Sequence, residues 1–246
     1  MIKIIVQVTK LIIGAIVVLL FGSCSFVQNS VTGIPGSGNV TTQDRNINGG
    51  FTYVSSGSGL EVTVEQADTF SVIVEADDNL HNHITTEVKN NELSIRCDVN
   101  IRNAKRKKVM VKMPVIDGLS SSSGSSLKGI TTVKSDNLNL SSSSGSSMNV
   151  SIQAANVICE SSSGSHLTVK GAAKKAETSS SSGSSIDATE LSAEFATADA
   201  SSGASIRITV KESLDAEASS GGSVVYNGNP ARIDKETSSG GSVSRN

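Results

Sequence analysis

The chain has no tryptophan, two tyrosines and five phenylalanines in 246 residues. So few large side chains cannot fill a broad globular core, and a thin core of small and β-branched residues is expected instead. Three cysteines are too few for a disulfide-stapled scaffold. A net charge of −2 leaves no electrostatic footprint for wrapping nucleic acid, so no nucleic-acid partner is expected. Only three histidines are present, and none stands with an acid at a fixed offset from a serine, which argues against serine catalysis. At 37% hydrophobic residues the chain is too apolar for a disordered serine-rich tail.

What the chain has in excess is serine, 45 residues, of which 36 follow Leu119, and glycine, 22 residues. From Ser120 a unit of Ser-Ser-Gly, a small residue and a strand-like run recurs. Its glycines are Gly124, Gly145, Gly164, Gly183, Gly203, Gly221 and Gly240, with spacings of 21, 19, 19, 20, 18 and 19. Self-similarity at this period is the mark of a solenoid. Three residues after each glycine stands an apolar residue: Leu127, Met148, Leu167, Ile186, Ile206, Val224 and Val243. Position five repeats the pattern with Val150, Val169, Ala188, Ile208 and Tyr226, and a period of two means strands with one buried face. Before the glycines, the residues at −7, −5 and −3 shrink toward the corner, as in Leu138, Leu140 and Ser142. Each glycine supplies the turn dihedral that other residues resist. The unit is therefore one coil of two or three short strands. Coils stack about 4.8 Å apart, and the serines form columns from coil to coil.

The N-terminus reads as an address. Residues 1–23 form a secretory signal, with Lys3, Lys10 and an apolar run, Leu11–Phe21, too short to cross a bilayer as a helix. It ends in Phe21-Gly22-Ser23-Cys24, which resembles a bacterial lipobox and makes Cys24 the lipidation site. Ser25 follows, with no aspartate to suggest inner-membrane retention, so outer-membrane anchoring is expected, with either face open. Residues 24–39 read as a lipid-anchored flexible tether. Residues 40–118 alternate apolar and polar over six strand-like runs and read as an irregular β region that caps the solenoid of residues 119–246. Gly38 and Gly57, 19 apart, extend the coil period into this region. Cys97 and Cys159 are expected to be free, buried thiols.

Two further constellations stand out. Asp77, Asp78, His81 and His83 have the ligand types of a metal site, although a polar connection between strands accounts for them equally, and no metal or cofactor is expected. Arg102, Lys105, Arg106, Lys107 and Lys108 are the one dense basic cluster, suited to anionic lipid headgroups or simply to blunting a strand edge. A calcium β-roll is a poor fit, because its turns need aspartate where these carry serine. The acids near the repeats, Asp187, Asp199 and Asp215, sit at different offsets from the glycines, with Arg207 the base near them, so no aligned acidic cluster is expected.

The segments Asp44-Arg45, Gly49-Gly50-Phe51, VSSGSGLEVTVEQAD, VIVEADDNL and ITTEVKNNELSI, followed by the SSGSS repeats, resemble the putative auto-transporter adhesin head GIN domain family, over about residues 36–244. The resemblance implies an all-β, right-handed parallel β-solenoid, a Bacteroidota source and frequent lipoprotein signals, and it carries no catalytic residues. The reading is a non-enzymatic envelope lipoprotein whose Ser-rich face binds a glycan or a cell-surface protein. A polysaccharide-active β-helix enzyme and an envelope structural or sensing protein are the alternatives.

Overall fold

The computed structural model describes residues 33–47 and 49–246. The leader and Cys24 lie outside the described residues. Among the described residues no helix is long and apolar enough to cross a membrane.

The strands are β1 (Ile34–Pro35), β2 (Val40–Asp44), β3 (Tyr53–Ser56), β4 (Glu61–Gln66), β5 (Ser71–Asp77), β6 (Ile84–Lys89), β7 (Glu92–Cys97), β8 (Ile101–Arg102), β9 (Lys107–Met113), β10 (Gly118–Ser121), β11 (Ser126–Ser142), β12 (Ser147–Ser161), β13 (His166–Ser180), β14 (Ser185–Ala200), β15 (Ser205–Ala218), β16 (Ser223–Asn227), β17 (Arg232–Thr237) and β18 (Ser242–Arg245). One 3-10 turn, Asp78–Leu80, interrupts them. From β10 onward all pairing is parallel, and successive coils stack as a β-solenoid of about seven turns.

Apolar residues at the repeat positions fall into single interior columns. Leu127, Met148, Leu167, Ile186, Ile206 and Val224 are register partners in sequence and are all buried. A second column runs Leu140, Cys159, Thr178, Ala198, Ala216, and is buried throughout. Each coil from β11 to β15 is one continuous strand of 14–17 residues rather than two or three short ones. The chain bends within the strand, at register shifts such as Lys128/Thr132 and Thr168/Gly171, while neighbouring coils bend with it and keep their hydrogen bonds.

The tight corner is a two-residue turn. Ser144 and Gly145 have φ of 52° and 68°, and the same pair of positive values recurs at every Ser-Gly from Ser123-Gly124 to Ser239-Gly240. Two successive positive φ values with Ser146 N–H donating to Ser143 O make a type I′ turn. The serine thus carries the left-handed conformation as well as the glycine, which the repeat pattern does not reveal. Gly145 N–H then donates to the Ser163 carbonyl of the next coil, so the ladder passes through the corner without a break.

In the N-terminal region the order of stacking departs from the order of the chain. The coil β3–β4 turns at Ser58-Gly59, not at Gly57, whose φ is not positive. Strands β7 and β9 lie beyond it as an outer coil, parallel to β3 and β4. The chain then crosses back, and β10 inserts between β3 and β11. Antiparallel β6 closes on β7, and β5 with β2 closes on β9. These antiparallel strands cover the stack at this end.

The stretch read as a tether to residue 39 is fixed from Pro35 onward. Asn79 Nδ2 donates to Pro35 O, Gly36 N–H to Arg102 O, and Gly38 N–H to Asp77 Oδ2. The physical reason is Asp77: its buried carboxylate needs donors, and this segment supplies one.

Candidate functional site

Half of the corner serines face inward. Ser121, Ser142, Ser161 and Ser180 meet Ser125, Ser146, Ser165 and Ser184 across the turn at 2.9–3.0 Å, and all eight are buried. They are internal hydroxyl pairs and cannot meet a ligand. Beside the turn an outward column, Ser126, Ser147, His166, Ser185, Ser205, Ser223, Ser242, is partly joined by its own hydrogen bonds, such as Ser147 to Ser126 at 3.2 Å and His166 Nδ1 to Ser185 at 2.6 Å.

The sheet entering the turn offers a different chemistry. Its outward positions are register columns two residues apart along each strand. The first is Asn137, Asn156, Lys175, Phe195, Ser213, Arg232; the second is Asn139, Ile158, Glu177, Thr197, Asp215, Asp234; the third is Ser141, Glu160, Ser179, Asp199, Glu217, Glu236. Neighbours stand about 5 Å apart between coils and about 7 Å along a strand. The grid grades from amides at its first coil to seven carboxylates over the later coils. Phe195 and Ile158 are the exposed apolar members.

This acidic grid corrects the expectation that the acids do not align. Asp199 and Asp215 differ in offset from their glycines by two, and an offset of two keeps the same face of a strand. The signal was in the sequence as parity, not as identity of position. Burial pushes the Asp199 carboxyl above the ordinary carboxylate range, with the charges of Asp215 and Glu177 acting in the same direction. An open groove of about 260 Å³ runs between Asp199, Glu217 and Glu236 and the turn serines Ser201, Ser219 and Ser238. No loop rises beside it, because the strands run straight into two-residue turns.

Sequence-derived candidates separate in space. Asp77 accepts from the N–H groups of Gly38, Lys105 and Arg106; burial raises its pKa, but these three donors together bring it below the usual value. Asp78 is bound by Ser37 Oγ and Asn39 Nδ2, at 2.5 and 2.8 Å. His81 is turned to Thr41 Oγ1 at 2.9 Å, and His83 Nδ1 to Asp98 at 2.9 Å. The four serve four different contacts, and among the described residues no group of three or more His, Cys, Asp or Glu is placed to hold a metal ion. The basic cluster occupies β8, β9 and the loop between them. Arg102, Lys105 and Arg106 are exposed, Lys107 and Lys108 half-buried, and Arg106 lies 3.6 Å from Glu75. Cys97 and Cys159 are free thiols.

Residues 50–230 match the family model described as "Putative auto-transporter adhesin, head GIN domain". Three solved structures share the fold. A putative adhesin from Bacteroides fragilis is 22% identical with a TM-score of 0.80, covering 87% of this chain and 100% of its own. A putative adhesin from Parabacteroides distasonis is 19% identical with a TM-score of 0.71, over 87% and 99%. A putative lipid binding protein from the same species is 19% identical with a TM-score of 0.68, over 87% and 99%. No curated protein matches the chain.

Proposed function

The chain belongs to the putative auto-transporter adhesin, head GIN domain family, and on that premise we propose that it is a lipid-anchored, non-enzymatic binding module of the outer membrane, acylated at Cys24. The contact face is the outward grid from Asn137 to Glu236, and the ligand is a glycan or a glycan-bearing surface protein.

One observation carries this reading: the grid is an outward face in continuous parallel register that repeats with the coil. A polymer with repeating hydroxyls can engage successive rungs, each carboxylate or serine contributing a modest hydrogen bond, so that affinity builds by number. The exposed Phe195 ring beside Asp215 and Arg232 supplies an apolar surface for the face of a sugar. Catalysis on a polysaccharide calls for a cleft that encloses an acid and a base, whereas these carboxylates stand on an open sheet.

A glycan array probed with the protein, followed by an activity screen on every hit, tests the proposal. Binding without product release, weakened by Asp215→Asn with Glu217→Gln, is expected. Product release would assign the chain to the polysaccharide-active enzymes. No binding, together with an envelope defect on deletion, would assign it a structural role.

A further inference from the structure

The point where the chain enters the folded body and the basic loop are the same place. Gly36 N–H donates to the Arg102 carbonyl at 3.1 Å. Asp77 then clasps both partners, taking Gly38 N–H at 2.9 Å on one side and the N–H groups of Lys105 and Arg106, at 3.2 and 2.9 Å, on the other. Arg102 and Lys105 are exposed and, among the described residues, form no salt bridge, although the Lys105 charge helps to hold the Asp77 carboxyl low, while Arg106 reaches Glu75 only at 3.6 Å. In the stack these cations sit beyond β4, at one end, and the carboxylate columns begin at β12 and continue to the other end.

We propose that the loop from Arg102 to Lys108 is a membrane-docking surface, which rests on anionic phospholipid headgroups and stands the solenoid with its acidic grid away from the bilayer. This rests on the anchoring at Cys24 proposed above. Ten residues lie between Cys24 and Pro35. Even fully extended, a chain of that length reaches at most about 40 Å, so the anchor confines the loop to the neighbourhood of the headgroups. Confinement turns weak attraction into occupancy, because the second contact is then intramolecular. Each cation near an anionic surface strengthens the contact about five-fold, and salt screens it. The acidic grid is repelled by the same surface, which sets the polarity of the rod.

The test uses the full processed chain reconstituted in vesicles of phosphatidylethanolamine and phosphatidylglycerol, and in vesicles of phosphatidylcholine alone. Amide hydrogen exchange is followed over residues 101–108. Protection in the anionic vesicles, absent in phosphatidylcholine, abolished by high salt and reduced more than ten-fold in Arg102→Ser with Lys105→Ser, is expected. Equal exchange in the two vesicle types overturns the docking surface. Both substitutions keep the backbone groups that bind Gly36 and Asp77, and an unchanged melting temperature confirms that the clasp is intact. The mass of the mature N-terminus is read separately: a chain without acyl groups on Cys24 removes the anchor, whereas an acylated chain with an unprotected loop removes only the docking surface.

Discussion

The hydroxyls of Ser161 and Ser165 lie 2.9 Å apart across the corner of one coil, and Ser165 Oγ reaches the Ser142 carbonyl of the preceding coil at 2.7 Å. Both are buried, so neither can exchange its partner for water. Ser165→Ala leaves the Ser161 hydroxyl and a carbonyl under-satisfied and is expected to cost about 1–3 kcal/mol. The double change Ser161→Ala with Ser165→Ala is expected to cost less than the sum of the two single ones. The chain already contains that solution, since Ala200 and Ala204 hold the equivalent positions two coils on. Thermal unfolding of the three variants checks it, and strict additivity would refute the coupling.

The turn serines are strained where the inward ones are satisfied. Ser163 has φ of 54° and is exposed, and serine gains less there than asparagine does. Ser163→Asn is expected to stabilise by about 0.5–1 kcal/mol in thermal unfolding. Gly164→Ala should destabilise for the same reason, by about 1–2 kcal/mol, since open space surrounds that position and only the φ of 69° opposes a side chain. A neutral result for both would mean that the corner tolerates either conformation.

The coils were legible because one physical demand repeats: an apolar residue three after each glycine faces a narrow interior, and the alternation from Leu127 to Val224 reports it directly. The N-terminal region was less legible. Its strands alternate as expected, but nothing local to β7 or β10 says that they flank β3 on opposite sides, because pairing order is a long-range choice among similar strands. The left-handed Ser163 was hidden since serine has no strong turn identity. The acidic grid was hidden because Asp199 and Asp215 share a face without sharing an offset.

Asp199 faces Glu177 and Asp215, and its carboxyl is raised above its usual range by burial first and by those charges second. A carboxyl whose folded pKa lies above its unfolded one disfavours the fold when ionised. That penalty is full above the folded pKa and is relieved as pH falls through it toward the unfolded value. Asp199→Asn is therefore expected to raise stability at neutral pH, by roughly 0.2–1 kcal/mol, and to lose its advantage in acid below the ordinary carboxylate range. Melting temperatures of both proteins across that pH range decide it; a constant difference at all pH values would refute the charge argument.

The two free cysteines should respond differently to a thiol reagent. Cys159 is fully buried in an apolar column, which pushes its thiol up to about 12. Cys97 is half-buried, and burial raises it as well. A thiol reacts as the thiolate, so at mildly alkaline pH Cys97 is expected to be alkylated slowly and Cys159 only after unfolding. Mass spectrometry of the alkylated native protein checks this, and modification of Cys159 without unfolding would contradict the closed interior column.

Among the described residues, the outer edge of β17 and β18 has no partner strand. Such an edge is a template for another chain unless charge guards it. Lys235 stands in the inward column that elsewhere holds Leu140, Cys159, Thr178, Ala198 and Ala216. Its ammonium lies 4.6 Å over the Tyr226 ring and donates to the Tyr226 hydroxyl at 3.1 Å, so this column ends in a cation, while the columns beside it end in the exposed Ile233 and the half-buried Val243. Arg245 ends a third inward column, after Ala188, Ile208 and Tyr226. Stacking a second chain here would bury both charges without partners, at a cost that outweighs the backbone hydrogen bonds gained. Lys235→Val with Arg245→Val removes the guard and extends the apolar columns to the open edge. The double variant is expected to form larger species than the parent at equal concentration in light scattering. Identical mass for the two proteins across the accessible concentration range would mean that something other than these two cations protects the edge.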